Sequence, residues 1–207
     1  MTPEIQKSNE VIEGLMPKEN FEKRFSFIDN ETLKKNIAIA FEYIVFLIDA
    51  AGMASQKPLI RSSLYKDAVV HTGIIVEACL CHVLNKYLAS GKAKKTKVLD
   101  FEWREEAQGV IYEFSKKKRI RYIVEHAVLK NLKNSPDFIE INRTCLRAKI
   151  LSQKEFGLAE EVRIARNKIH VSGLKEIDNS YSKEKLDAIF DKATIIIKKV
   201  EKRLSKI

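Results

Sequence analysis

The chain has 207 residues and a formal net charge of +10, and 45% of its residues are hydrophobic while 32% are charged. This length allows one sizeable domain or two small ones, and seven glycines and four prolines are too few for an all-β chain with many tight turns. The strong positive charge is typical of proteins that contact polyanions, although lysines scattered through the whole chain produce the same balance.

The N-terminal part of the chain carries no apparent signal peptide and one strongly apolar window. Residues 1–14 contain acids and lack the apolar stretch of a secretory signal peptide. The most apolar window, residues 37–54, includes Glu42 and Asp49, and a membrane span rarely contains two carboxylates. We therefore expect a buried helix there, no membrane association and a cytoplasmic location.

The three cysteines are Cys79, Cys81 and Cys145. They form no CxxC motif, and no histidine lies at zinc-ligand spacing from a cysteine pair. Free thiols in a reducing compartment are the simplest interpretation. We expect neither a metal nor a cofactor.

Apolar spacing and helix-end signals predict helices throughout the chain. The predicted helices cover about residues 30–54, 59–88, 102–131, 136–150, 153–173 and 183–204. The predicted fold class is all-α, a single-domain helical bundle of five to six helices with a long central helix pair. Residues 1–29 are expected to be an N-terminal extension or short helix, and residues 30–204 the helical domain.

The predicted third helix carries a basic run, which comprises Lys116, Lys117, Lys118, Arg119 and Arg121. Such a run is either a solvated helix face or a patch that contacts nucleic-acid phosphates. We retain these residues as candidate nucleic-acid-binding residues.

The predicted fifth helix has clear end signals. Ser152 and Glu155 form the capping-box pattern at its start, and Gly173 is suited to the position just after its end. At about 100° per residue, one face of this helix brings together Arg163, Arg166, Asn167 and His170. Apolar residues flank that face on both sides, with Leu158, Val162, Ala165 and Ile169 on one side and Ile164 and Val171 on the other.

A polar group between apolar stripes needs partners or a function. Arginine presents a fork of donors that matches phosphate geometry, and histidine can take a proton from a ribose 2′-hydroxyl or give one to a leaving oxygen. Arginine, asparagine and histidine are not a set of metal ligands, so the chemistry that they fit best is metal-independent transesterification of RNA. Alternatively, these side chains cap helix carbonyls or bridge to acidic neighbours.

The stretch from Arg163 to His170, late in a helical chain, resembles the HEPN superfamily. Members typically have an arginine followed directly by a polar residue, and four to six residues separate the arginine from a histidine. Arg166 is followed by the polar Asn167, but only three residues separate it from His170; Arg163 has six intervening residues, but Ile164 follows it. We take Arg166 as the motif arginine and Arg163 as its support. The helix containing Glu77 resembles the central helix of the family.

The resemblance implies a metal-independent endoribonuclease, with His170 as acid or base and Arg166 on the scissile phosphate. It also implies a toxin or effector of a prokaryotic conflict system, a homodimer with a composite cleft, and a nucleotidyltransferase-like antitoxin as partner. The alternative is a non-catalytic helical module that binds nucleic acid, a nucleotide or a protein.

Glu77 lies in the middle of the most apolar helix. A buried carboxylate needs a cation, and we expect Arg163 or Arg166 to supply it and the pair to orient the site. Another lysine or arginine is the alternative partner.

Overall fold

The computed structural model describes residues 23–54, 56–116, 118–129, 137–168 and 181–207. The elements in chain order are α1 (Glu31–Met53), α2 (Pro58–Ala89), α3 (Lys95–Val98), β1 (Phe101–Ser115), β2 (Lys118–Leu129), α4 (Phe138–Arg147), α5 (Gln153–Asn167) and α6 (Lys183–Leu204). The short N-terminal helix considered from the sequence lies outside these residues.

The predicted all-α class is wrong, because residues 101–129 form two antiparallel strands and not a third helix. The reason is visible in the chain. Ile120, Tyr122 and Val124 alternate with other side chains at a period of two, and β-branched and aromatic residues favour strands over helices. The basic run therefore lies at the end of a β-hairpin, with Lys116 in the turn and Lys118, Arg119 and Arg121 on β2; Lys117 is outside the described residues.

The other predicted helices are found, and each begins close to its predicted position. α1 begins after Asn30, whose side chain accepts a hydrogen bond of 2.9 Å from the backbone N–H of Leu33. α2 begins with Pro58 and is followed by Gly91 at φ +73°, a left-handed conformation that glycine adopts without strain. α6 has the predicted bounds, and the side chain of Ser182 caps its start. The predicted start of the fourth helix, Ser135-Pro136, is not among the described residues.

The second helix is the centre of the fold. α2 packs against α1, α4, α5 and α6, and its buried residues lie on several sides of the helix. Phe25 and Ile28, which precede α1, are also part of the core, with 1% and 0% of their surface exposed. This arrangement places α5 directly on α2, so that Arg166 of α5 meets Glu77 of α2.

α4 connects the hairpin to the bundle. Arg147 at its end forms a two-pronged ion pair with Asp100, at 2.7 and 2.8 Å, just before β1 begins. Cys145 lies in the core with its Sγ 3.7 Å from the carbonyl oxygen of Leu80. Cys79, Cys81 and Cys145 are all free thiols, and burial raises the pKa of Cys79 to about 12.

Two helices of the described chain, α1 and α2, are long and apolar enough to cross a membrane by length and composition alone. Protein buries 61% of the apolar window of α2, which is the environment of a core helix, but only 28% of that of α1. Several large apolar side chains of α1 are accordingly exposed.

Candidate functional site

The predicted capping box fixes the start of α5. The Ser152 hydroxyl accepts from the backbone N–H of Glu155 at 3.3 Å, and the Glu155 carboxylate accepts from the backbone N–H of Ser152 at 2.7 Å. Glu155 also pairs with Lys199 of α6 at 2.7 Å. The helix is thus anchored to α6 at its first turn, and this anchoring fixes which face the later residues present to α2.

The last turns of α5 lie on α2 at a glycine. A Cβ built on Gly73 would lie 2.7 Å from Cβ and 2.9 Å from Cγ of Arg166, which is closer than real carbon atoms approach. Because Gly73 has no side chain, the stem of Arg166 can cross α2 at this position. Its guanidinium then reaches Glu77 one turn further along α2, and Nη2 lies 3.0 Å from Oε2. Of the two arginines expected as partners of Glu77, Arg166 is the one that pairs with it.

Opposing effects act on the pKa of Glu77, whose side chain is largely covered. Burial raises the pKa of Glu77 above its ordinary value, the Arg166 guanidinium acts to lower it, and Asp137 at the start of α4 acts to raise it further. Burial therefore disfavours the charged form of Glu77 more than Arg166 favours it. The Glu77 carboxylate orients Arg166 but contacts only part of its N–H donors.

Arg163 has a different partner. Its Nε and Nη2 atoms lie 2.9 and 2.8 Å from Oε2 of Glu160, and Oε1 of Glu160 accepts from Asn142 at 2.7 Å. Asn142 is fully buried on α4, and its Oδ1 atom has no hydrogen-bond partner. Arg163 thus belongs to a network that joins α5 to α4, whereas Arg166 is the arginine that contacts the central helix.

Asn167 is exposed at the end of α5 and accepts from Nη1 of Arg166 at 3.4 Å. α5 ends at Asn167 with Lys168 as its C-cap, so the prediction that this helix continues to Gly173 is wrong. Lys168 lies in the turn that follows, and His170 lies outside the described residues. The described chain resumes at Tyr181, whose backbone N–H donates to Ser62 Oγ at 3.1 Å and whose hydroxyl donates to the carbonyl of Ala165 at 3.5 Å.

An exposed apolar surface adjoins the Glu77–Arg166 pair. Ile74 precedes Glu77 by three residues, which places the two side chains side by side on α2, and Ile74 is 39% exposed. His71 is three residues before Ile74 and meets the ring of Tyr43 edge-on, with centroids 4.8 Å apart. We call these residues, together with the exposed apolar residues on α1, the α1–α2 surface: Ile39, Tyr43, Phe46, His71 and Ile74.

The hairpin cations are separate from this cluster. Within the described chain, no hydrogen bond or ion pair joins Lys116, Lys118, Arg119 or Arg121 to α5, and all four are exposed. The structure therefore gives two groups of candidate residues on different elements, one on α2 and α5 and one on the hairpin.

Three residues of the site were not predicted from the sequence: Gly73, Glu160 and Asn142. The signal for Gly73 was its place one turn before Glu77 in an otherwise bulky helix, where a glycine indicates close approach of another element. Among the residues described, no three His, Cys, Asp or Glu side chains are grouped so that they could hold a metal ion.

Comparison of the chain with protein-family models, with curated proteins and with solved structures gives no match.

Proposed function

We propose that this chain is a HEPN-type endoribonuclease that cleaves RNA by metal-independent transesterification. The observation that carries the proposal is the contact of Arg166 with Glu77 across Gly73. It holds a guanidinium at the edge of a partly exposed cluster, where it can bind a phosphate. Of the five N–H donors of a guanidinium, Glu77 and Asn167 engage only part, so donors are left for a phosphate oxygen.

The proposed reaction needs only groups of this chain and water. A ribose 2′-oxygen attacks the adjacent phosphorus while the bond from phosphorus to the 5′-oxygen breaks, which gives a 2′,3′-cyclic phosphate and a 5′-hydroxyl end. Arg166 stabilises the charge that develops on the phosphoryl oxygens. His170 takes the proton of the 2′-hydroxyl or gives one to the leaving 5′-oxygen, and water makes the other proton transfer. In this proposal Asn167 contacts the RNA, Glu77 orients Arg166, and Arg163 holds α5 against α4.

We further propose that two copies form the complete site. The α1–α2 surface borders the Glu77–Arg166 pair, and Ile164 is 48% exposed on α5 beside Arg163. A contiguous apolar surface next to a polar cluster favours burial by a partner. A second copy that covers the apolar residues would place two Arg166 side chains along one cleft. In this proposal the protein is cytoplasmic, without a membrane segment, and a toxin or effector with a nucleotidyltransferase-like antitoxin as partner.

The test is cleavage of a fluorescent RNA in excess EDTA by the parent protein and by His170→Ala. The matched control is Lys168→Ala, which removes an exposed cation two residues away. Loss of a general acid or base lowers the rate by roughly 100-fold to 10,000-fold, so His170→Ala should be nearly inactive and Lys168→Ala close to the parent. Equal cleavage by parent and His170→Ala would remove this assignment.

A second candidate function is a non-catalytic module that binds nucleic acid, a nucleotide or a protein. The specific observation in its favour is that Arg166 already has a carboxylate partner, which neutralises much of its charge. For this candidate, RNA is bound without cleavage in the same assay, and Arg166→Ala weakens binding without changing the RNA.

A further inference from the structure

The β-hairpin projects from the helical part of the chain. β1 and β2 pair with each other in antiparallel register from Phe101↔Leu129 to Ser115↔Lys118, and the described sheet has no third strand. At about 3.3 Å per residue, the 15 residues of β1 extend over roughly 50 Å. Neither strand packs extensively on a described helix. The outer part of the hairpin therefore has two uncovered faces.

One face of the outer hairpin carries aromatic and aliphatic side chains. Tyr112 pairs with Ile120, and Tyr122 lies across Gly109, where an added Cβ would be 2.6 Å from its ring. Phe114 meets Tyr112 edge-on at 4.8 Å. We call this the aromatic face, with Tyr112, Phe114, Ile120 and Tyr122 as its members, each between 43% and 58% exposed. An exposed apolar patch of this kind marks a binding surface.

Cations occupy the same end of the hairpin. Lys118 Nζ lies 5.5 Å from the centroid of the Phe114 ring, on the aromatic face. Arg119 and Arg121 alternate with Ile120 and Tyr122 along β2 and therefore lie on the opposite face. In the described part of the chain, Arg119 and Arg121 form no ion pair. The only acid within residues 107–124 is Glu113, whereas the acids of the hairpin are concentrated toward its base. Lys118 thus places positive charge on the aromatic face itself, and the two arginines place it on the reverse of the same two-stranded ribbon.

A ligand that matches both features is a polyanion that carries flat rings. Phosphates would pair with the cations, and bases would stack on the aromatic side chains, which is how single strands are bound without base-specific contacts. A double helix hides the faces of its bases, so it could use the cations but not the rings. We propose that the hairpin is an arm that binds single-stranded nucleic acid through its aromatic face. This binding is independent of cleavage.

The experiment is fluorescence anisotropy with the His170→Ala protein, which is expected not to cut the probe. The probes are a labelled 12-nucleotide oligouridine, the corresponding oligothymidine and a duplex of the same length. The two single strands distinguish RNA from DNA, and the duplex separates stacking from charge alone. Tyr112→Ser together with Tyr122→Ser should weaken single-strand binding about tenfold or more. It should leave the duplex affinity nearly unchanged.

The charge variant is Lys116→Ala together with Lys118→Ala at the turn end of the aromatic face, and its matched control is Lys198→Ala together with Lys202→Ala on exposed positions of α6. Loss of two phosphate contacts should lower the slope of log affinity against log salt by about 1.4 for a single strand. The α6 variant should change it little. The charge variant keeps the aromatic side chains. It therefore still tests the proposal if the tyrosine variant is unstable.

Unchanged single-strand affinity in both hairpin variants would overturn the proposal. So would equal affinity for duplex and single strand in the parent. If the tyrosine variant instead changes the sedimentation coefficient without changing nucleic-acid affinity, the aromatic face joins two copies of the chain, and the proposal is equally overturned. Normal arm binding by a parent protein that cleaves no RNA would contradict only the proposed ribonuclease.

Discussion

Arg166 and Glu77 join the two helices that form the candidate site, with Nη2 of the arginine 3.0 Å from Oε2 of the glutamate. Both side chains are largely covered, at 29% and 20% exposed, so the pair is neither a surface ion pair nor fully buried. Pairs in this intermediate position are costly to break, because removal of one partner leaves the other desolvated.

The first prediction concerns the strength of this pair. Arg166→Ala should lower the free energy of unfolding by about 2 kcal/mol, because it leaves the Glu77 carboxylate without a cation and removes the stem that packs on Gly73. Lys168→Ala, on the exposed side of the same helix end, should change it by less than about 0.5 kcal/mol. Urea denaturation measures both, and similar losses in the two variants would mean that the Glu77 contact adds nothing.

The second prediction concerns pH. Burial raises the pKa of Glu77, so its contribution to stability is complete below the pKa of the unfolded chain and is lost as pH rises through the pKa of the folded protein. Glu77→Gln removes this pH-dependent loss of stability, because glutamine does not ionise. The variant should therefore gain stability relative to the parent as pH rises from about 4 to 7.

Urea denaturation at several pH values across this range is the measurement, with Glu201→Gln on an exposed position of α6 as the control. The control should follow the parent. If Glu77→Gln instead loses stability relative to the parent with rising pH, attraction to Arg166 outweighs the desolvation of Glu77.

The third prediction concerns the glycine under Arg166. Gly73→Ala places a methyl group 2.7 Å from Cβ of Arg166, an atom fixed by the backbone of α5, so the helices must separate. The intrinsic helix gain of about 1 kcal/mol should be exceeded by an overpacking cost of about 1–3 kcal/mol. Gly157→Ala on α5 has nothing within 4 Å and should stabilise by up to about 1 kcal/mol. Thermal unfolding compares the two, and equal stabilisation would show that α5 does not press on Gly73.

The fourth prediction concerns the α1–α2 surface. Ile74→Glu should abolish self-association, because it places a charge in the proposed apolar contact between two copies. Ile195→Glu changes an exposed isoleucine of α6 and should leave association intact. Sedimentation velocity measures the oligomeric state, and the unfolding temperature of each variant verifies that it folds. A parent protein that is monomeric at all concentrations would contradict the composite cleft.

The regular helices could be predicted because their signals are local. Ser152 and Glu155 lie three residues apart, and α6 begins immediately after its capping serine. The partner of Glu77 could also be anticipated, since a buried carboxylate requires a cation and two arginines shared one face of α5. These inferences need only helix geometry and the cost of burying charge.

The hairpin was missed for a physical reason. Its turn lacks the Asn-Gly or Asp-Gly signal, and Lys116 follows a strand whose register shifts at several points, which blurs the alternation. The role of Gly73 and the network of Asn142, Glu160 and Arg163 could not be predicted either. Those contacts depend on which helix packs on which, and a single helix pattern does not contain that information.

The most direct measurement of the central claim is end-group analysis of RNA incubated with the protein in excess EDTA. The proposed chemistry predicts 2′,3′-cyclic phosphate and 5′-hydroxyl ends from the parent and from Lys168→Ala. It predicts at least about 100-fold less of them from Arg166→Ala and His170→Ala. Absence of cleavage by the parent, or cleavage only with an added divalent metal to 3′-hydroxyl and 5′-phosphate ends, would contradict it.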